Sequence, residues 1–180
     1  MIWYGEAGQD KFAWEQSGEK TDGTFLDLGA VGPQGAQNNN NSYALELMGW
    51  HGLLIDFNPS YEVIARAQRI SPFICTDAAS PDLDWKAILG DAGLGFNIDY
   101  LSVDIDDGCL GKNAELVTLE RLFSAGCSFR AITIEHDAYS RGDLKRGPQR
   151  ELLSAAGYTL LHPNVKQSSG LEFEDWWIKA

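Results

Sequence analysis

Five short apolar runs in this chain each carry carboxylates at or just past their carboxyl end, and that spacing is where chemistry is to be sought. The run at 24–28 (TFLDL) leads into Asp27-Leu28-Gly29-Ala30-Val31-Gly32-Pro33-Gln34-Gly35. Glycines let the backbone turn tightly and approach a ligand. Gly29, Gly32 and Gly35 nevertheless do not spell the GxGxxG of a dinucleotide loop. Asp27, just ahead of them, would serve a pyrophosphate poorly and a cation well, for instance a sulfonium that also bears an ammonium group. The run at 52–57 (GLLIDF) ends in Asp56-Phe57-Asn58-Pro59. A carboxylate there can accept two hydroxyl hydrogen bonds from a ribose diol, and Phe57 can pack on a base. After 72–75 (PFIC) come Asp77 and Ala78. Asp77 could accept from the exocyclic amine of an adenine, although Asp in such a turn is commonly a local cap.

The run at 98–103 (IDYLSV) is followed by Asp104, Asp106 and Asp107. Three carboxylates in four residues repel one another unless a metal, a substrate or a cationic cofactor compensates. The run at 130–134 (RAITI) is followed by Glu135-His136-Asp137. Histidine is the side chain best suited to proton transfer near neutral pH. His136, Asp104 and Glu135 are therefore the expected catalytic residues, with His136 or Asp104 as base. His51 and His162 have no comparable setting and read as structural or surface residues. Arg130, Arg141, Lys145, Arg146 and Arg150 read as a solvated helix face pairing with Glu151 and Asp143.

These residues can meet only if the apolar runs are neighbouring strands. Between the runs lie segments of helical spacing at 42–48, 61–70 (after the start signal Asn58-Pro59), 83–89, 114–123 and 148–156. Strand and helix in alternation imply parallel strands joined by crossover helices. Unbroken apolar runs imply a sheet covered on both faces. The expected architecture is a doubly wound α/β sheet, mostly parallel, with helices on both faces. Its closing strands are 158–162 and an aromatic, alternating 171–178, the last antiparallel. Ligands bind such sheets beyond the carboxyl ends of the strands. The run of four Asn at 38–41 reads as a loop entering a helix. Residues 1–22 are expected to pack as an N-terminal segment on a single domain at 23–180.

Composition narrows the partners. Of 180 residues, 26 are Asp or Glu and 14 are Lys or Arg, for a net charge of −12. That balance disfavours nucleic acid, which needs clustered cations, and an anionic membrane surface. The first twenty residues hold no continuous apolar run, so no signal peptide is expected. Cys75, Cys109 and Cys127 form no CxxC pair. Each reads as a small buried hydrophobe, and a cytoplasmic protein with reduced thiols is expected.

Taken in order, several segments resemble the FkbM-like family of S-adenosylmethionine-dependent methyltransferases. They are Gly23-Thr24-Phe25-Leu26-Asp27-Leu28-Gly29-Ala30, Asn41-Ser42-Tyr43, Gly49-Trp50-His51-Gly52 and Ile55-Asp56-Phe57-Asn58-Pro59. Asp99-Tyr100-Leu101-Ser102-Val103-Asp104, Ile134-Glu135-His136 and Gly157-Tyr158 continue the series. The resemblance implies a seven-stranded, Rossmann-like methyltransferase fold with S-adenosylmethionine as cofactor. It implies that Asp27, Gly29, Ala30, Gly32 and Asn41 hold the cofactor's methionine part. Asp56 would take the ribose and Asp77 the adenine, with Phe57 and Ala78 as further cofactor contacts and Asp104 at the reacting end. The expected reaction is methylation of a hydroxyl on a small molecule, such as a sugar. No metal is expected; a divalent cation, if used, would sit on Asp104, Asp106 and Glu135. The chain is short for an acceptor lid, and a homo-oligomer is one way to complete the pocket. A non-catalytic nucleoside-binding or interaction domain is the alternative. A nicotinamide-dependent oxidoreductase is disfavoured by the missing GxGxxG.

Overall fold

Each apolar run becomes a strand of one sheet, and each intervening helical segment crosses over to the next strand. The computed structural model describes residues 1–30, 35, 39–105 and 113–179. The strands are β1 (Thr24–Leu28), β2 (His51–Asp56), β3 (Phe73–Cys75), β4 (Asn97–Val103), β5 (Ser128–Glu135), β6 (Thr159–Lys166) and β7 (Glu172–Ile178). Their spatial order is β3-β2-β1-β4-β5-β7-β6. The first five pair in parallel, whereas β7 runs antiparallel to both β5 and β6. This is the doubly wound, mostly parallel sheet expected from the sequence. Chain order runs outward in opposite directions from β1 and β4, so the switch point lies between those two strands.

The helices are α1 (Gln9–Gln16), α2 (Tyr43–Leu47), α3 (Pro59–Gln68), α4 (Trp85–Asp91), α5 (Ala114–Ser124), α6 (Ala138–Arg141) and α7 (Asp143–Ala155). Side chains alternate across a strand, so each strand feeds two cores. Phe25, Leu54, Tyr100 and Ala131 pack with Phe12, Leu45 and Ala65 on the face of α1, α2 and α3. Leu28, Ile55, Val103 and Ile134 pack with Trp85, Leu119 and Leu153 on the face of α4, α5 and α7. Burial on both faces is why the strands read as unbroken apolar runs.

Four details differ from expectation. Helix α7 begins at Asp143, ahead of the expected 148, and carries Pro148 inside it. Its basic residues are not a solvated face. Lys145 is buried 2.5 Å from Glu115, and Arg150 holds buried Asp175 at 2.7 and 2.9 Å; Arg146–Asp143 is an expected surface pair. Helix α1 was not foreseen; Phe12 packs its ring 4.7 Å from Trp176 and 5.8 Å from His162. Cys127 is buried as expected, but Cys75 is exposed, since it ends the edge strand β3; Cys109 lies outside the described residues. Among the described residues no helix is long and apolar enough to cross a membrane.

Candidate functional site

Strand register brings the expected residues to one edge. Ile55, Leu28, Val103 and Ile134 are paired across β2, β1, β4 and β5. The next position toward the carboxyl ends is therefore a row of Asp56, Gly29, Asp104 and Glu135, continued by Glu174 of β7 opposite Glu135. Alternation turns this row, and the Asp27–Ser102–Thr133 row two positions behind it, toward the α1–α3 face.

Gly29 is the pivot. Its φ is +81°, and a Cβ there would lie 1.7 Å from the Asp104 carbonyl oxygen. Only glycine permits both the turn and this approach. The Asp104 N–H donates to the Leu28 carbonyl (2.9 Å), and the Gly29 N–H donates to that of Ile55 (2.9 Å). The β1, β2 and β4 ends are thus tied together at one point.

Asp27 is buried beneath this row and accepts from the Ser42 hydroxyl. Burial raises its pKa; Arg69, Ser42 and Ser102 pull against that rise, and Asp104 adds to it. The chain after β1 is braced by Asn side chains. Asn40 donates to the Ala30 carbonyl (2.6 Å) and Asn41 to Ser102 Oγ (3.0 Å). Asp56 is buried at the end of β2 and accepts from the Asn58 N–H (2.8 Å). Beside it Phe57 is 54% exposed, an aromatic face turned to solvent at the sheet edge. Asp77 accepts from the Ala79 N–H (2.8 Å), and Ala78 is buried. The local cap is thus real, and both residues lie two to three positions past β3. Gly32 and Asp106 lie outside the described residues.

On the other side of the switch point stands a carboxylate cluster. Asp104 is exposed and Glu135 half-buried. Burial first, then the charge and hydrogen bond of Asp104, hold the Glu135 carboxyl far above its ordinary range. Asp137 and Glu174 push the same way. Glu174 is itself raised by burial, against hydrogen bonds from Trp176 Nε1 (2.7 Å) and Gln9. Among the described residues no group of three or more His, Cys, Asp or Glu is arranged to hold a metal ion.

The N-terminal segment crosses this edge. Asp10 accepts from the N–H groups of Tyr4 (2.6 Å) and Gly5 (3.2 Å), folding the chain ahead of α1 into a turn. The Tyr4 carbonyl accepts from the Asn40 N–H (3.1 Å). Glu6 accepts from Asn39 on one side and from Ser168, past β6, on the other (3.3 Å each). Residues 4–10 therefore span from the β1 loop to the β6–β7 turn.

His136 does not join the cluster. It is one residue beyond Glu135, so alternation sends its ring to the opposite side of the sheet edge. There it is fully buried, Nδ1 accepts from the Ala138 N–H (3.1 Å), and Nε2 lies 3.5 Å from Asp175. Burial acts to raise the Asp175 carboxyl, but Arg150, His136 and the Asn164 N–H hold it well below the usual carboxylate range. The expectation of a cleft-facing His136 is corrected by this placement. His136→Ala should lower unfolding free energy by about 1–3 kcal/mol, from a lost buried polar contact and packing. Urea denaturation checks this, and ligand affinity at the Asp27–Asp56 side should stay unchanged.

Sequence reading did not single out Glu174, Gln9, Arg69 or Glu46. The alternating LEFEDWWI segment signals Glu174's strand, but only the antiparallel register places it opposite Glu135.

The fold is that of S-adenosylmethionine-dependent class I methyltransferases. The chain is similar to the Burkholderia thailandensis 1,6-didemethyltoxoflavin-N1-methyltransferase, solved with 1,6-didemethyltoxoflavin and S-adenosylhomocysteine. The TM-score is 0.56 at 18% identity, covering 96% of this chain and 76% of that one. An O-methyltransferase from Bacillus cereus, solved with S-adenosylhomocysteine, gives 0.59 at 15% identity, covering 95% and 80%. A TehB-like S-adenosylmethionine-dependent methyltransferase from Corynebacterium glutamicum gives 0.58 at 15% identity, covering 98% and 88%. At these identities the likeness is one of fold. No protein-family model matches the chain, and no curated protein matches it.

Proposed function

We propose that this chain is an S-adenosylmethionine-dependent methyltransferase acting on a hydroxyl of a small molecule, a sugar being one such acceptor. The observation that carries the reading is the row of carboxylates on one face of one sheet edge, split by Gly29 at the switch point. The donor set fits the cofactor. Buried Asp27 offers a carboxylate for an ammonium group, Asp56 for a diol, and exposed Phe57 an aromatic face for a base. Asp77 and Ala78 flank the adenine side, and Gly29, Ala30 and Asn41 shape the methionine side. The ordered motifs from Gly23 to Tyr158 support a place near the FkbM-like family. A cytoplasmic setting, read from three widely spaced cysteines as reduced thiols, is part of the same proposal.

When bound, the cofactor supplies an electrophilic methyl group. The protein's part is positioning and proton transfer. Glu135 holds a proton against its neighbours, and exposed Asp104 accepts the acceptor hydroxyl's proton. Residues 4–10 wall the acceptor side from within the same chain.

Calorimetric titration with S-adenosylhomocysteine tests the reading. The wild type should bind, and Asp56→Ala should weaken binding by about 1–3 kcal/mol through lost hydrogen bonds to the diol. A folded wild type that takes up no S-adenosylhomocysteine overturns the reading in favour of a non-catalytic domain.

A further inference from the structure

Arg69 lies outside every motif singled out in the sequence, yet among the described residues it is the most completely sequestered cation near the site. It follows α3, and its side chain is fully buried. Each arm has a partner. Nε donates to Glu46 Oε2 on α2 (2.9 Å), Nη1 to Asn40 Oδ1 (3.1 Å) and Nη2 to Ser42 Oγ (2.8 Å). Its Cζ lies over the Tyr43 ring, 5.6 Å from the centroid. Glu46 is fixed in turn by the Ser71 N–H (2.7 Å). Burial acts to raise the Glu46 carboxyl, but Arg69 and Ser71 outweigh it and hold it low.

The direction of these bonds matters. An arginine can only donate. With Nη2 donating into the Ser42 oxygen, the hydroxyl's own hydrogen must point elsewhere, and the acceptor it meets is Asp27. A charged donor also polarises the hydroxyl it bonds, strengthening the next bond in the chain. The same guanidinium holds Asn40, which braces the carbonyl of Ala30. Arg69 thus sets both the orientation of the group bonded to Asp27 and the path of the backbone leaving β1.

We propose that Arg69 is a positioning residue for cofactor binding: through Ser42 it keeps Asp27 in the orientation and ionised form that receives the cofactor's ammonium group. The inference rests on the reading of Asp27 as a cofactor contact. The groups facing Asp27 are Ser42 just ahead of α2, Arg69 beyond α3, Tyr100 and Ser102 on β4, and Asp104 just past β4. Its register partner on β2, Leu54, is apolar. Arg69 is the only cation among these groups, so its removal leaves burial and Asp104 to favour the protonated acid.

Titration with S-adenosylhomocysteine between pH 5 and 8 tests this in four proteins: wild type, Arg69→Gln, Asp27→Asn and the double variant. Arg69→Gln should weaken binding about threefold at pH 7 and move the acidic midpoint of the affinity profile up by roughly one pH unit. Affinity should recover toward pH 8, and Arg69→Lys should restore part of the loss. In the Asp27→Asn background the Arg69 substitution should cost much less, only what the Asn40 brace contributes, and the loss should no longer depend on pH. Where Arg69→Gln does not fold, Ser42→Ala cuts the same link with a smaller change and should move the midpoint in the same direction. An equal loss with and without Asp27, at an unmoved midpoint, makes Arg69 scaffold and overturns the proposal while the cofactor reading stands. Binding indifferent to Asp27→Asn overturns the assigned role of Asp27, and a wild type that binds nothing overturns the cofactor reading; either ends this proposal as well.

Discussion

Gly29→Ala is expected to remove on the order of 4 kcal/mol of folding free energy, the exceptional end of single-substitution effects. Two costs add. A left-handed backbone costs an alanine roughly 1–2 kcal/mol. The larger cost is steric, because the new Cβ would fall 1.7 Å from the Asp104 carbonyl oxygen, and that atom is backbone. A flexible side chain could swing away, but here β1 and β4 must part at the switch point. The matching control is Gly157→Ala. Gly157 has φ +85° and nothing within 4 Å of a new Cβ, so it bears the first cost alone. Chemical denaturation of both variants separates the terms. Equal losses would show that the β1–β4 approach is not the constraint it is taken to be. A folded remnant of Gly29→Ala should also bind S-adenosylhomocysteine weakly, since Asp27, Asp56 and Asp104 are spaced by this contact.

What the sequence disclosed and what it hid divide along physical lines. The strands were legible because a sheet buried on both faces writes continuous apolar runs. The doubly wound order followed from alternation with helices, and the edge carrying the site followed from the order. Asp27, Asp56, Asp104 and Glu135 could be placed because strand ends are local. His136 could not, because its neighbour Glu135 occupies the cleft face and a step of one residue reverses direction. Glu174 and Arg69 were hidden for a different reason. Glu174 reaches Glu135 through an antiparallel pairing formed last in the chain, and Arg69 reaches Ser42 across 27 residues. Neither contact leaves a periodic signal. The N-terminal segment was expected to pack on the core, but nothing in its composition shows Asp10 folding Tyr4 and Gly5 back over the sheet edge.

Asp104→Asn should lower turnover about 10²–10⁴-fold on whatever hydroxyl acceptor a panel screen identifies, with the loss falling on kcat, the range for removing a general base. Glu135→Gln should behave otherwise, and the contrast assigns the roles. Glu135 sits beside Asp104, Asp137 and Glu174, and burial with these charges keeps its proton on. Glutamine copies that neutral, hydrogen-bonded state, so most turnover should survive. Should Glu135→Gln abolish transfer and Asp104→Asn spare it, the base is Glu135. Stability reports the same electrostatics without an acceptor. An unfolded Glu titrates near 4.3, whereas folded Glu135 titrates far higher. Between those values the folded chain binds more protons than the unfolded one, so stability falls as pH rises through the window. Glutamine cannot ionise in either state. Glu135→Gln should therefore flatten the decline above about pH 4.3 and gain on the wild type toward neutral pH. Asp175 works in the opposite sense: held low by Arg150 and His136, it adds stability above the ordinary Asp range that is lost as pH falls further. Urea denaturation of wild type and Glu135→Gln from pH 4 to 8 reads the Glu135 trend, and extending the wild-type series below pH 4 reads that of Asp175; parallel curves between pH 4 and 8 would remove the buried proton from Glu135.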